Sequence, residues 1–320
     1  MLSRVADSLY WMSRYLERAE HTARIVDVNL NLMLDESASS VDRRWQRVLR
    51  SLGTPPKITW DGDPYRLAST LIFDPEKRAS IVSCIMFARE NARQVREQIS
   101  SEQWQELNRL YHEVTGANVD ENPHGSQLSD FLQIVHDGAY LFQGVTDSTM
   151  SHGEGWQFIQ FGRYIERASA TATLLDVYTS EFLTHPDRLE GNEYLEWIGL
   201  LRSCTAFEAY CRVYTADLHP ERILEFLLLN KEFPHSVGYA IDTLQYALEA
   251  IHGEGGKRRA ATLTRLAGRL QSSLSFADVS EIVGQGVNAY LHGIQRQCQE
   301  IHQNIYQVYI NYSIDSALAG

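Results

Sequence analysis

Apolar residues recur at steps of three and four along nearly the whole chain, the period of an α-helix, and no β-branched alternating run bounded by Asn-Gly or Asp-Gly occurs. The pattern predicts an all-α protein. Over residues 3–35, Val5, Leu9, Met12, Leu16, Ala19, Ala23, Val26, Leu30 and Met33 form one seam. Trp11, Tyr15, Arg18, Thr22, Ile25, Asn29 and Leu32 form a second seam on the roughly opposite side. A helix apolar on two faces belongs between layers, not at a surface. Residues 154–183 show the same double pattern, with Phe158, Phe161, Ile165, Ala168, Ala172 and Leu175 on one side and Gln160, Tyr164, Arg167, Thr171, Leu174 and Tyr178 on the other. Further helices are predicted at about 40–52, 63–71, 79–99, 101–116, 127–147, 190–216, 220–229, 235–252, 257–273 and 277–312. Most prolines fall between these runs, and Pro220 suits a first helical turn. The stretches 53–62 and 117–126 are short, polar and rich in Gly and Pro, too short for interdomain linkers.

The two double-seamed segments are also alike in sequence. Residues 14–28 and 163–177 share nine of fifteen positions at a constant shift of 149: Arg14, Tyr15, Glu17, Arg18, Ala19, Thr22, Ala23, Asp27 and Val28 recur as Arg163, Tyr164, Glu166, Arg167, Ala168, Thr171, Ala172, Asp176 and Val177. About one match would be expected from average residue usage. A weaker echo, at a shift of 156, relates residues 71–81 to 227–237, and in both copies a Ser (Ser80, Ser236) stands where it would cap the following helix. The repeat predicts a multi-helix bundle of two duplicated halves, about 1–149 and 150–320, related by a pseudo-two-fold axis. Because each repeated helix has two apolar faces, the halves should merge into one all-helical domain over 1–320.

Charge and composition narrow the function. A net charge of −12 and a pI near 5.4 argue against nucleic acid or an anionic membrane as main partner, without excluding a nucleotide held by a local basic spot. Residues 1–20 carry Arg4, Asp7, Arg14, Glu17 and Arg18 among their charged side chains and no signal-like apolar core, and no run of eighteen apolar residues occurs, so neither a leader nor a span is expected. Cys84, Cys204, Cys211 and Cys298 form no C-x-x-C pair; they read as reduced core thiols of a cytoplasmic protein, with Cys204 and Cys211 on one face of a continuous helix.

Three clusters could carry chemistry. In the first, Arg18 and Arg167 sit within an apolar seam, where a partly desolvated guanidinium requires a carboxylate or an anionic ligand. On its own helix Glu17 can reach Arg14 and His21, and Glu166 can reach Arg163. If the copies meet at an axis, the two Glu-Arg pairs converge, either as an anion-binding or acid–base centre with Glu17, Arg18, Glu166 and Arg167 as candidate catalytic residues, or as a buried ion-pair network that fixes packing. The second cluster is a helical stripe of Arg89, Arg93 and Arg96 beside Glu90 and Asn91, which would grip a phosphate or an acidic surface, or form a solvated face with Glu90–Arg93 and Glu97–Arg93 pairs. The third is the turn Ser151–Trp156 with His152 and Glu154, at a helix start where anions bind or where a capped turn merely joins the halves. Of the Glu-x-x-His pairs that di-iron bundles use, Glu121/His124 and Glu232/His235 fall in loops, and only Glu249/His252 can be helical, so no metal site is expected. No Ser/His/Asp or Cys/His arrangement is recognisable.

The opening Met1–Glu20, the Ala-Arg-Glu-Asn-Ala-Arg run within residues 88–96, the Gly-Trp and Gly-Arg-Tyr-Ile-Glu-Arg-Ala runs within 151–168, and residues 226–236 resemble the bacterial alpha-E domain family, an all-helical family named for its Glu-Arg motif. The resemblance covers essentially the whole chain. It implies a place beside, or fused to, circularly permuted ATP-grasp-type ligases, with transglutaminase-like proteins also nearby, in a system that makes or modifies an amide bond. It implies no cofactor of the chain's own; ATP and Mg would come through the partner ligase. Arg14, Arg163, Arg89, Glu90, Asn91, Arg93, His152 and Glu154 are the candidate ligand- or partner-binding residues. Three readings follow: a non-catalytic helical partner of an amide ligase, an enzyme acting on a small anionic substrate through the paired Glu-Arg motifs, or a structural helical homo-oligomer.

Overall fold

The computed structural model describes residues 1–33, 38–53, 58, 60–117, 125–183, 193–215, 217–251 and 257–310. Among the described residues the chain forms fourteen α-helices and no strand. In order they are α1 (Ser3–Leu32), α2 (Ala38–Ser51), α3 (Pro64–Phe73), α4 (Ile81–Gln94), α5 (Ser101–Gly116), α6 (Gly125–Thr149), α7 (Glu154–Phe182), α8 (Glu193–Ser203), α9 (Phe207–Tyr214), α10 (Pro220–Leu229), α11 (Val237–Ile251), α12 (Lys257–Ser275), α13 (Val279–Gln285) and α14 (Val287–Ile305). Glu121, His124 and His252 lie outside the described residues.

Local chemistry explains the boundaries, including three that periodicity misplaces. Over 79–99 the helix stops at Gln94 and a 3₁₀ turn, Arg96–Gln98, follows, because Ser100 and Gln103 form a capping box that starts α5 afresh. Arg96 therefore leaves the face that carries Arg89 and Arg93. The helix expected over 190–216 breaks at Thr205, whose φ is 51°, separating α8 from α9 and Cys204 from the helix of Cys211. The long C-terminal helix is cut at Gly286, whose φ of 107° suits only glycine, and Asp278 caps the short α13 before it. Periodicity is blind to such breaks, because the apolar seam resumes in register beyond them.

The 71–81 and 227–237 segments adopt the same turn. Asp74 Oδ1 accepts from Glu76 N at 2.9 Å, and Asn230 Oδ1 accepts from Glu232 N at 2.8 Å. Ser80 Oγ then accepts from Ser83 N and Ser236 Oγ from Tyr239 N, so both serines cap as the sequence predicts.

Helices α1 and α7 lie at the centre. α1 packs against α4, α6 and α7; α7 packs against α1, α11 and α14. α5 bridges α4 and α6 on one side, and α12 bridges α11 and α14 on the other, so each central helix closes a ring of four. α2 crosses over to α7, and α8 packs on α1. Both seams of α7 are buried, Phe161, Ala168 and Ala172 with Tyr164 and Leu174; in α1 the first seam is buried at Leu9, Met12, Ala19 and Val26, and the second at Thr22, Ile25 and Asn29 but only half-buried at Trp11, Tyr15 and Arg18. The buried apolar residues form one connected cluster.

The central pair runs parallel, residue i of α1 beside residue i+149 of α7. Ser13 Oγ donates to Ile159 O at 2.5 Å, and a Cβ on Gly162 would lie 2.2 Å from Tyr10 O and 3.1 Å from Ser13 Cβ. Gly162 is what allows the two backbones to approach this closely.

Candidate functional site

The close contact at Gly162 places the first turns of both Glu-Arg segments against each other, and the pairing is crossed. Arg167 donates from Nε and Nη2 to the two oxygens of Glu17 at 2.5 and 2.9 Å, and Arg163 Nε stands 3.9 Å from Glu17 Oε2. In mirror fashion Arg14 donates to Glu166 Oε2 at 2.7 Å and Arg18 Nε to Oε1 at 2.6 Å. The same-helix pairs Glu17–Arg14, Glu17–His21 and Glu166–Arg163 therefore do not form. Neighbouring positions on a helix diverge by about 100°, so each carboxylate faces the other helix and meets its guanidiniums there first.

The two halves of the exchange differ in closure. Glu17 and Arg167 are each 3% exposed, and Arg167 Nη1 also donates to Pro234 O at 3.1 Å. That half is sealed. Glu166 is buried too, but the Arg18 side chain is 30% exposed and holds the carboxylate through Nε alone. Burial would raise the Glu166 carboxyl, yet Arg14 and then Arg18 outweigh it and bring it down to about 2. Glu166 is thus a fixed carboxylate near neutral pH, with no proton to give and little tendency to take one.

Arg14 extends the open half toward α14. Its Nη1 lies 3.0 Å from His302 Nδ1 and 3.2 Å from Tyr10 Oη, and Tyr10 Oη is 2.7 Å from the same Nδ1. A guanidinium only donates, so Nδ1 accepts and the imidazole is the neutral Nε2–H tautomer. Burial first and the Arg14 charge second lower His302 to about 4, which agrees with that state.

The other clusters stand apart. Arg93 binds Glu90 bidentately at 2.7 and 2.9 Å on an exposed face; Glu97 takes no part. Arg89 donates to Asn108 at 2.8 Å and lies over Tyr111 and Trp104; Asn91 donates to the Phe87 carbonyl. Arg96 covers Trp104 from its 3₁₀ turn. The Arg stripe is thereby a solvated and aromatic-packed surface. His152 stacks on Trp156 at 4.2 Å, and Glu154 accepts from the Met1 amine at 2.8 Å; neither touches the Glu-Arg centre.

Two buried ion clusters escaped the sequence reading. Glu20 accepts from Arg24, which also reaches Tyr140, with His136 Nδ1 4.0 Å away. On the far side Arg44 and Arg47 hold Glu196 at 2.7 and 3.1 Å, and Arg50 holds Glu181 at 2.7 Å. Arg47 sandwiches against Tyr178 and Phe182, both centroids 4.9 Å away. The available signal for the second was charge at seam positions beside Trp45 and Val48, but its partners lie 152 residues (Arg44–Glu196) and 131 residues (Arg50–Glu181) apart. Among the described residues no group of three His, Cys, Asp or Glu side chains could hold a metal, and no helix is long and apolar enough to cross a membrane.

This geometry defines an all-helical protein centred on two mutually paired Glu-Arg helices. Residues 1–310 match the Alpha-E model, described as a predicted alpha-helical domain with a conserved ER motif, and the chain belongs to that family. It is also similar, at 24% identity over 277 residues, to uncharacterized proteins of Mycobacterium bovis and of two strains of Mycobacterium tuberculosis. The match covers 80% of this chain and 30% of each relative, so the chain spans under a third of those proteins' length. No solved structure matches it.

Proposed function

We propose that the chain is a non-catalytic helical partner of an ATP-grasp-type amide ligase, built from two duplicated halves merged into one domain around a pseudo-two-fold axis. The observation that carries the non-catalytic reading is the crossed Glu-Arg exchange: Glu17 is sealed by Arg167, and Glu166 is pinned as a carboxylate by Arg14 and Arg18. A general acid or base needs a proton that moves near the working pH, and this arrangement opposes it. The reciprocal contacts at a shift of 149, the matching turns at Asp74 and Asn230 and the two four-helix rings support the duplication. The mycobacterial relatives carry the matched region within a much longer chain, which supports a role alongside further domains. The ligase identity of the partner rests on the family resemblance, and ATP and Mg would be held by that partner in the cytoplasm; a transglutaminase-like protein is a further partner.

The test is gel filtration of the chain mixed with a neighbouring ATP-grasp-type protein at micromolar concentration, followed by ATP-hydrolysis and amide-formation assays. Co-elution, with partner-dependent activity that Glu17→Gln and Glu166→Gln alter only through complex stability, is expected. Two separate peaks would overturn the partner reading. Turnover by the chain alone, abolished by Glu166→Gln in a folded variant, would favour the enzyme.

A further inference from the structure

The open half of the Glu-Arg centre continues into far more space than the sealed half, where only about 20 Å³ lies beside Glu17 and Arg163. One cavity of about 210 Å³ is lined by Arg14, Arg18, His21, Glu166 and Ser169, with the end of α2 as its rim. A second, of about 540 Å³, lies between α7 and α14 and is lined by Arg14, Ser169, Gln295, Arg296 and His302. They share Arg14, Ser169 and Thr173 and so form one groove, within the size range of small-molecule sites.

The groove's charge and unmet hydrogen bonds both point to an anion. Three guanidiniums line it against the single Glu166 carboxylate, in a chain whose net charge is −12. At the rim His292 is held by Asp176 at 3.0 Å. Arg18 holds Glu166 through Nε, and its two terminal nitrogens make no hydrogen bond with a described residue. Arg296 forms no ion pair with one. His302, with Nδ1 occupied by Arg14 and Tyr10, presents Nε2–H. Gln295 Nε2 is shielded from solvent and has no hydrogen-bond partner, and His21 Nε2 is in the same position at the other end. The guanidinium and His302 N–H groups are donors that face the open space, whereas Gln295 Nε2 is a donor shut off from solvent, and a buried donor left unsatisfied costs about 1–3 kcal/mol. A guanidinium fork, a second guanidinium and amide and imidazole N–H groups around one space match a carboxylate or phosphate oxygen set.

We propose that this groove between α1, α7 and α14 binds a small organic anion, through a carboxylate or phosphate group held by Arg18 and Arg296 and oriented by His302 and Gln295. Arg14 and Glu166 are positioning residues: Glu166 fixes both guanidiniums, and Arg14 fixes the imidazole tautomer. The site is independent of any partner ligase, so failure to co-elute with one does not bear on it. The Glu17–Arg167 half is the built-in contrast: all three Arg167 nitrogens are engaged, and the space beside Glu17 and Arg163 is only about 20 Å³, too small for such a ligand.

Calorimetry on the whole chain tests this, with inorganic phosphate, ADP, L-glutamate and citrate as probes and sodium chloride at matched ionic strength as control. At least one probe should bind with a Kd below about 1 mM, and the His302 ring signals should shift in NMR while those of His112, exposed on α5, stay in place. Arg296→Ala, on an exposed position of α14, should weaken that binding at least about tenfold with an unchanged Tm in the absence of ligand. Gln295→Leu is the second variant and should also weaken binding while keeping the fold. The proposal is overturned if no probe binds at about 10 mM, if chloride reproduces the effect, if His302 does not respond, or if both variants bind as the parent does.

Discussion

At the scale of single residues, the centre shows how a guanidinium set in an apolar seam is accommodated. Arg167 and Arg18 occupy equivalent positions, yet one is sealed and the other borders the groove. Removing one partner of a buried pair leaves an uncompensated charge, at a cost of about 3–5 kcal/mol. Arg167→Ala should therefore destabilise by about that much, and Arg18→Ala by less, because water can reach Glu166 from the groove and Arg14 still holds it. Urea denaturation of the two variants side by side measures the difference; equal losses would contradict the asymmetry. Arg18 and Arg167 were legible in the sequence as residues needing a partner. Which carboxylate each would meet was not: the sequence offered convergence of the two Glu-Arg pairs only on condition that the copies meet, and the same-helix partners it gave to Glu17 and Glu166 (Arg14, His21 and Arg163) are not the ones that bind Arg18 and Arg167.

At the scale of elements, close approach and capping decide more than propensity. At Gly162 the α1 backbone comes so near that a methyl group would lie 2.2 Å from the Tyr10 carbonyl oxygen, which cannot rotate away. Gly162→Ala should destabilise by about 3 kcal/mol, despite the better helix propensity of Ala, and lower Tm in a thermal melt. An increase in Tm would show that α1 and α7 separate more easily than their hydrogen bond at Ser13 suggests. The caps give a milder test. Ser80→Ala should cost about 1 kcal/mol. Ser236→Ala should cost more, because Ser236 also donates to Asn230 O and is fully buried. Both serines were found from sequence, because a cap is a local feature. The breaks at Thr205 and Gly286 were not, because the seam continues across each and only the backbone angle there, selected by packing, reveals the turn.

At the scale of the whole molecule, buried histidines link stability to pH. Burial is the largest influence on His21, His235 and His302; it lowers His21 and His302 to about 4 from the ordinary 6.5, and His235 well below it. Their folded forms are neutral, whereas the unfolded chain takes up protons on them below 6.5. The stability they contribute is complete above about pH 6.5 and lost as pH falls from there toward 4. His21 alone accounts for about 2 kcal/mol lost by pH 5. Glu166 adds a second loss at lower pH, with its contribution present above 4.5 and disappearing as pH drops toward about 2. Tm recorded against pH should be level above 7, fall from about 6.5 and fall again below 4.5. His21→Gln should shallow the first fall, provided it folds; a flat profile down to pH 5 would show that these rings are reached by water.

The sequence by itself determined the all-helical class, the two central helices and their double apolar faces, the caps at Ser80 and Ser236, and the presence of arginines that packing alone does not explain. Each is a property of neighbours within a few residues, where periodicity and hydrogen-bonding chemistry act directly. Tertiary structure alone decided the crossed pairing of Glu17 with Arg167 and Glu166 with Arg18, the clusters at Glu20 and Glu196, and the groove that brings Arg18, Arg296 and His302 together. Apart from residues on one helix, such as Glu20 and Arg24, one turn apart on α1, these join residues more than 100 positions apart. Such contacts depend on the approach distance and rotation of whole helices, and those are set by close packing at a few points such as Gly162 rather than by any pattern along the chain.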